Sequence, residues 1–167
     1  MDIILRPWQT NELYQLVRLI NNHNIVQFMS NQIPHPYTEE DGKVFLNKTT
    51  NQNPTQAFAI TADSEVVGSI GIFPQTDIYE KNAEIGYWLG EEYWGRGIIT
   101  EAIRQIVEYG FNTFDITRIF ARPFSNNKAS QRALKKAGFT HEATIKNGVY
   151  KNSTHFDSVI YAMQRGK

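Results

Sequence analysis

The sequence predicts an α/β fold: one domain over residues 1–167, with a mixed central sheet of about seven strands flanked by about four helices. Three observations predict it. Runs with strand content and runs with helical spacing follow each other in the order β-α-α-β-β-β-α-β-α-β-β. At the centre, residues 83–89 are apolar and aromatic like a buried strand, and Ile99, Ala102, Ile103, Ile106, Val107, Gly110 and Phe114 then recur at helical spacing. Between these two runs stands Gly95-Arg96-Gly97, and no repeat, linker or low-complexity tract divides the chain.

Residues 2–6 alternate as a first strand, stopped by Pro7. Thr10 or Asn11 caps a helix with Leu13, Leu16, Val17 and Ile20 on one face. Residues 21–36 are polar, carry Pro34 and Pro36, and read as a loop. Thr38, followed by Glu39, Glu40 and Asp41, marks a helix start. Acids in a first turn face the positive end of the helix. That helix runs to about Thr50 and is expected to bury Val44 and Phe45. Residues 56–61 and 66–73 form a hairpin around Asp63-Ser64, ended by Pro74. Residues 76–81 lead as a loop into the central strand. After the central helix, residues 117–122 are a short strand and residues 123–127 a turn. Asn127 caps a helix with Ala129, Ala133, Leu134 and Ala137 inward, and Gly138 ends it. Residues 139–145 and 155–163 are the last two strands, joined by a segment containing Gly and Asn.

Composition narrows the function. Lys plus Arg number 17 and Asp plus Glu 17, so the formal net charge is zero and there is no global pull towards nucleic acid or an anionic membrane. There is no cysteine, which excludes disulfides, a cysteine zinc site and a cysteine nucleophile. His23, His35, His141 and His155 show no metal spacing, so no metal is expected. The first residues are too short and polar for a signal peptide, and no apolar run approaches the roughly 20 residues of a membrane span, so the expected location is cytoplasmic. Two glycosylation sequons, at Asn47 and Asn152, read as chance.

The strand, glycine turn and helix together point to a phosphate ligand. Glycines let several backbone N–H groups converge, and the helix behind adds its positive end. A Walker loop is discounted, because Gly90 to Arg96 lacks the lysine and the following hydroxyl. A dinucleotide loop is discounted too: the turn lies mid-chain and has no third glycine. The backbone amides from Gly95 to Thr100 can hold a pyrophosphate, and the Thr100 hydroxyl can add a bond.

Two blocks carry a more specific resemblance. Ala83-Glu84-Ile85-Gly86-Tyr87-Trp88-Leu89 is followed by Trp94-Gly95-Arg96-Gly97 and Thr100-Glu101-Ala102. A second block has Asn127, Ala129, Ser130, Leu134, Lys136, Gly138 and Phe139. In both, and in the opening Leu5-Arg6-Pro7-Trp8, the chain resembles the GNAT family of N-acetyltransferases, in particular the subfamily that acetylates the N-terminal alanine or serine of ribosomal proteins. One position departs: Glu92 stands where the family signature has Gln or Arg. The resemblance implies a mostly antiparallel sheet, acetyl-CoA as donor and a primary amine as acceptor, either a protein N-terminus such as a ribosomal protein's or a small amine. It implies a donor site of Trp88, Leu89, Gly95, Arg96, Gly97, Ile98, Ile99 and Thr100, with Asn127 and Ser130 beside the thioester and pantetheine. It also implies that the strand before the turn pairs with the pantetheine arm, which Gly86 is small enough to admit.

Direct attack by an amine on a thioester needs no enzyme nucleophile, only a neutral amine, so a base is useful. Glu84 lies where several family members carry their general base; the rival reading is a structural acid. Ser130 or Tyr150 can give the departing thiolate its proton, and the residues do not choose between them. The acceptor site is expected along residues 21–36, the second helix and residues 145–154. Glu12, Glu39, Glu40 and Asp41 can attract a cationic acceptor or be solvated helix starts, and the second reading is preferred. The rival from another class is a non-catalytic acyl-CoA-binding regulatory module. Either way the expected partners are acetyl-CoA and an amine, not nucleic acid or membrane, in a monomer or homodimer.

Overall fold

The computed structural model describes residues 1–166. Seven strands form one sheet in the order β1-β2-β3-β4-β5-β7-β6. They are β1 (Ile3–Pro7), β2 (Ala57–Ala62), β3 (Glu65–Pro74), β4 (Asn82–Leu89), β5 (Arg118–Ala121), β6 (Thr140–Lys151) and β7 (Thr154–Gln164). Five helices accompany them: α1 (Leu13–Ile20), α2 (His23–Val26), α3 (Glu39–Thr50), α4 (Ile98–Thr113) and α5 (Lys128–Lys136). The order of strands and long helices is the one the sequence predicts. The chain divides into two compact units, one holding Met1–Gly71 and Tyr87–Ala102, the other Ile72–Gly86 and the chain from Ile103 on. Among the described residues no helix is long and apolar enough to cross a membrane.

In the first unit, β1 pairs antiparallel with β2 and β2 with β3. Asp63 and Ser64 both take positive φ (47° and 74°), the geometry of a two-residue hairpin turn. The core gathers Trp8, Leu16, Leu19, Ile20, Ile25, Tyr37, Leu46, Ala59, Val66 and Trp88. The Trp8 indole N–H, buried with this core, donates to Ser69 Oγ (3.1 Å), which itself donates to the Phe58 carbonyl (3.2 Å). Glycine decides one contact. A Cβ added at Gly68 would fall 2.4 Å from the Trp88 carbonyl oxygen, so β3 can approach the end of β4 this closely only without a side chain there.

Four local expectations of this unit need correction. The chain enters α1 through a 3-10 turn at Thr10–Glu12 capped by Gln9, not by Thr10 or Asn11. Glu12, read as solvated, is 6% exposed: its carboxylate takes a fork from Arg6 (2.9 and 2.5 Å) and the Gln9 N–H (2.8 Å). In α3 the Thr38 cap is present, with Asp41 N–H donating to Thr38 Oγ1 (3.1 Å), but Val44 is 63% exposed and Gly42, Leu46 and Thr49 are the buried face. Residues 21–36, read as loop, contain the four-residue α2.

In the second unit, β5 lies between the start of β4 and β7. Its ladder with β4 is parallel and joins Asn82 to Arg118, Ala83 to Ile119 and Glu84 to Phe120. β4 itself runs on to Leu89. Ile72, Ile103, Ile106, Ile116, Ile119, Leu134 and Tyr161 are fully or almost fully buried. In α5, Leu134 is buried and Ala129, expected inward, is exposed. Gly138 ends this helix at φ 101°. The segment expected to link the last two strands is itself strand: β6 continues past a register shift between Ile145 and Val149, with Asn147 at φ 53°, and the turn falls at Asn152 and Ser153.

Two measurements test these contacts. Gly68→Ala should destabilise by about 1–3 kcal/mol, the usual cost of overpacking a tight contact, read as a lower urea midpoint at unchanged m. Glu12 is buried, which works against its charge, but the Arg6 guanidinium and the Gln9 N–H still hold its pKa below the ordinary carboxylate value. A depressed folded pKa means stability that is complete above the ordinary carboxylate range and is lost as pH falls through the folded value. Glu12→Gln should therefore melt below the wild type at neutral pH, and the gap should narrow in melts taken at successively lower pH below the ordinary carboxylate range.

Candidate active site

β4 ends in a turn built from backbone bonds. Gly90 N–H donates to the Val67 carbonyl (2.8 Å), which ties the exit of β4 to β3. A 3-10 turn follows at Glu91–Tyr93, closed by Tyr93 N–H to the Gly90 carbonyl (2.9 Å). The Trp94 indole then reaches back to the Leu89 carbonyl (2.9 Å). Gly95 and Gly97 both adopt left-handed backbone, φ 76° and 77°, where a side chain costs roughly 1–2 kcal/mol. A Cβ built on either would meet no atom within 4 Å, so the turn opens outward. Ile98 is buried and anchors the start of the 16-residue α4. The first bond of that helix joins Glu101 N–H to the Gly97 carbonyl (3.3 Å), and the amides before it are those a helix leaves for caps, water or ligands. Main chain arranged in this way can cradle an anion.

Side chains around the turn set its charge. Arg96 is exposed, donates to the Glu92 carbonyl (3.1 Å) and lies 5.8 Å from the Tyr93 ring centre. Glu92, the departure from the family signature, accepts from Arg18 Nη1 at 2.9 Å. That bond raises the Arg18 pKa. An acid beside an anion cradle is unfavourable; α1 supplies a guanidinium that offsets it. Trp88 and Leu89 are buried, so only their main chain is available to a ligand.

The other predicted residues lie in the second unit. Glu84 is held by a fork from Arg122, Nε to Oε2 at 2.7 Å and Nη2 to Oε1 at 2.9 Å. Its side chain is 23% exposed. The same bond raises the Arg122 pKa. Asn127 caps α5, its Oδ1 accepting from the Ser130 N–H (3.3 Å), which puts the two residues in one turn as their spacing implied. Tyr150, expected in a connecting segment, stands on β6 opposite His155, with ring centres 4.8 Å apart and its own ring 62% exposed. Among the described residues no cluster of three or more His, Asp or Glu has the geometry to hold a metal.

Arg122 and Arg18 were missed by sequence reasoning. Arg118, Phe120 and Arg122 alternate along β5 and just past it, a visible period of two; nothing local says that Glu84 is the partner. Arg18 had one signal, the uncompensated acid at position 92.

A family model for the acetyltransferase (GNAT) domain matches residues 2–140. The chain belongs to that family. The uncharacterized N-acetyltransferase YoaA of Bacillus subtilis is 36% identical over 99 residues, which are 59% of this chain and 55% of that protein. The chain thus spans about half the length of that relative. The ribosomal-protein-serine acetyltransferase of Escherichia coli is 28% identical over 156 residues, 90% of this chain and 84% of that one. Among solved structures, the self-immunity acetyltransferase MccE in complex with acetyl-CoA and AMP superimposes with a TM-score of 0.82 at 29% identity, covering 98% of this chain and 92% of that one. In this GNAT chain the glycine turn is present, and the acid at its signature position is paired with Arg18 of α1.

Proposed function

We propose that the protein is an acetyl-CoA-dependent N-acetyltransferase, acting as one domain over residues 1–167 in the cytoplasm and transferring acetyl to a primary amine. The observation that carries this is the turn at Gly95 and Gly97. Two left-handed glycines, open on their outer side, stand before the first amides of α4. That arrangement fits a pyrophosphate, because the ligand's charge meets N–H groups and a helix dipole without any side chain in the way. The Gly95–Thr100 amides would hold it, with the half-buried Thr100 hydroxyl and Arg96 at its margin. Trp88, Leu89, Ile98 and Ile99 contribute main chain, and Asn127 and Ser130 the first turn of α5.

Acetyl-CoA, when bound, supplies the acetyl group as an activated thioester. The acceptor amine must lose a proton, since amines are mostly protonated at pH 7. Glu84 takes that proton, directly or through one water, while Arg122 keeps its carboxylate oriented. Ser130 Oγ and Tyr150 Oη are the two groups able to return a proton to the departing thiolate. The likeness to the ribosomal-protein-serine acetyltransferase supports a protein N-terminus as acceptor. The fork on Glu84 is the one observation that favours the alternative, an acyl-CoA-binding regulatory module, because it occupies the carboxylate.

Thiol release from acetyl-CoA with a panel of amines separates the two readings, and a chain without cysteine adds no background. Thiol release with amide products supports the transferase; binding without release supports the module. Acetyl-CoA and CoA should raise the melting temperature, by about 2.7 kcal/mol of stabilisation at a hundred times Kd. Gly97→Val should lose that ligand-induced increment whatever its own baseline, because the branched side chain fills the open side of the turn. Glu84→Gln should keep the increment and lower turnover on the order of a hundredfold at neutral pH. Its deficit should shrink as pH rises and the free amine needs less help. Wild-type turnover at every pH would remove Glu84 from the mechanism.

A further inference from the structure

The fork between Glu84 and Arg122 leaves one edge of a guanidinium unused. It employs Nε and one N–H of Nη2. Among the described residues nothing accepts a bond from Nη1, and the Arg122 side chain is 56% exposed. Arg118, four residues earlier on the same face, differs on this point. Its Nε and Nη2 go to Glu142 and its Nη1 to Asn82 (2.9 Å), so every edge is taken. Phe120 lies between the two arginines, its ring centre 4.9 Å from the Arg118 guanidinium carbon and 5.9 Å from that of Arg122. Phe120 is also the register partner of Glu84 across the parallel ladder. The free edge of Arg122 is thus fixed in direction by a carboxylate on one side and a ring on another. The fork holds a Glu84 side chain that is 23% exposed, while the Arg122 side chain beyond it is 56% exposed.

A fixed carboxylate with a fixed guanidinium edge beside it presents an acceptor and a pair of donors side by side. A ligand that fits both must carry an N–H donor and an oxygen acceptor a few bonds apart. We propose that Arg122 is the specificity-determining residue for the acceptor, its Nη1 edge binding the carbonyl oxygen next to the amine that meets Glu84. The class selected is the α-amino acyl group, as at the N-terminal residue of a peptide. Alkyl amines leave the edge unsatisfied. Polyamines bring a second ammonium against a like charge, a repulsive element of the kind specificity requires. This rests on the reading of Glu84 as the group the acceptor amine meets.

The test is steady-state thiol release by the full chain with two acceptors, a short peptide amide with a free N-terminus and n-butylamine. The quantity read is the ratio of their kcat/KM values in the wild type, Arg122→Ala and Arg122→Lys. The wild type should favour the peptide. Arg122→Ala should reduce the ratio by about ten- to hundredfold, the worth of a hydrogen bond to a charged group, mainly through the peptide KM. Arg122→Lys should restore part of it, since a point charge can meet one oxygen without the planar edge. If Arg122→Ala does not fold, Arg122→Lys alone carries the comparison, with an intermediate ratio expected. An unchanged ratio, even with both rates lowered equally, overturns the proposal and leaves Arg122 as a holder of Glu84. A wild type that prefers n-butylamine overturns it as well. A wild type that releases thiol with neither amine, yet is stabilised by acetyl-CoA, removes the transferase reading and this one together.

Discussion

The way β4 ends governs the candidate site. On the side of β3 the approach is so close that residue 68 has no room for a Cβ against the Trp88 carbonyl. Two residues beyond, the Gly90 N–H is bonded to Val67, and the Trp94 indole is bonded to the last carbonyl of the strand. The position of the glycine turn is therefore fixed by main-chain bonds and one indole, not by the packing of flexible side chains. A site that must place several amides around one anion gains from this. Main-chain bonds have no rotamers to lose, and the amides need no reorganisation when charge arrives.

The charges near the two predicted centres follow one rule. Glu92 is answered by Arg18 from 74 residues away and Glu84 by Arg122 from 38 residues away. The Arg18–Glu92 pair is exposed on both sides and does little for stability, whereas Glu84 is 23% exposed within its fork. Their effect is local. At the turn, Arg18 pairs with the acid at position 92, which would offset its repulsion of a phosphate bound as proposed. At β4, Arg122 fixes the direction of a carboxylate that would otherwise sample several rotamers.

Much of this was legible in the sequence because the deciding chemistry is local. Gly95-Arg96-Gly97 before a helical run, Thr38 before three acids, Asp63-Ser64 between two β-rich runs and Asn127 three residues before Ser130 each specify their own backbone, and each forms as read. What was not legible depends on partners far along the chain or on elements too short to show a period. α2 has four residues, fewer than two helical turns. Val44 was expected inside because it is apolar, but the inward face of α3 carries Gly42, Leu46 and Thr49, a choice made by what α3 packs against. Asn147 and Gly148 have the composition of a turn, yet they sit in a register shift within β6, because the pairing with β7 continues on both sides of it.

The same distinction separates donor from acceptor. Donor binding through amides needs glycines and a helix start, which leave a mark in consecutive residues. The proposed acceptor site rests on side chains brought together by the sheet: Glu84 from β4, and Phe120 with Arg122 from β5 and the residue beyond its end. Their positions in the chain say nothing of each other until the parallel ladder sets Glu84 opposite Phe120. Once it does, the alternation of β5 places Arg122 on the same face as Phe120, and the fork follows from reach and charge. A fold of this kind can therefore keep its donor site unchanged while an exchange of one residue, two places along a strand face, alters which amine is accepted.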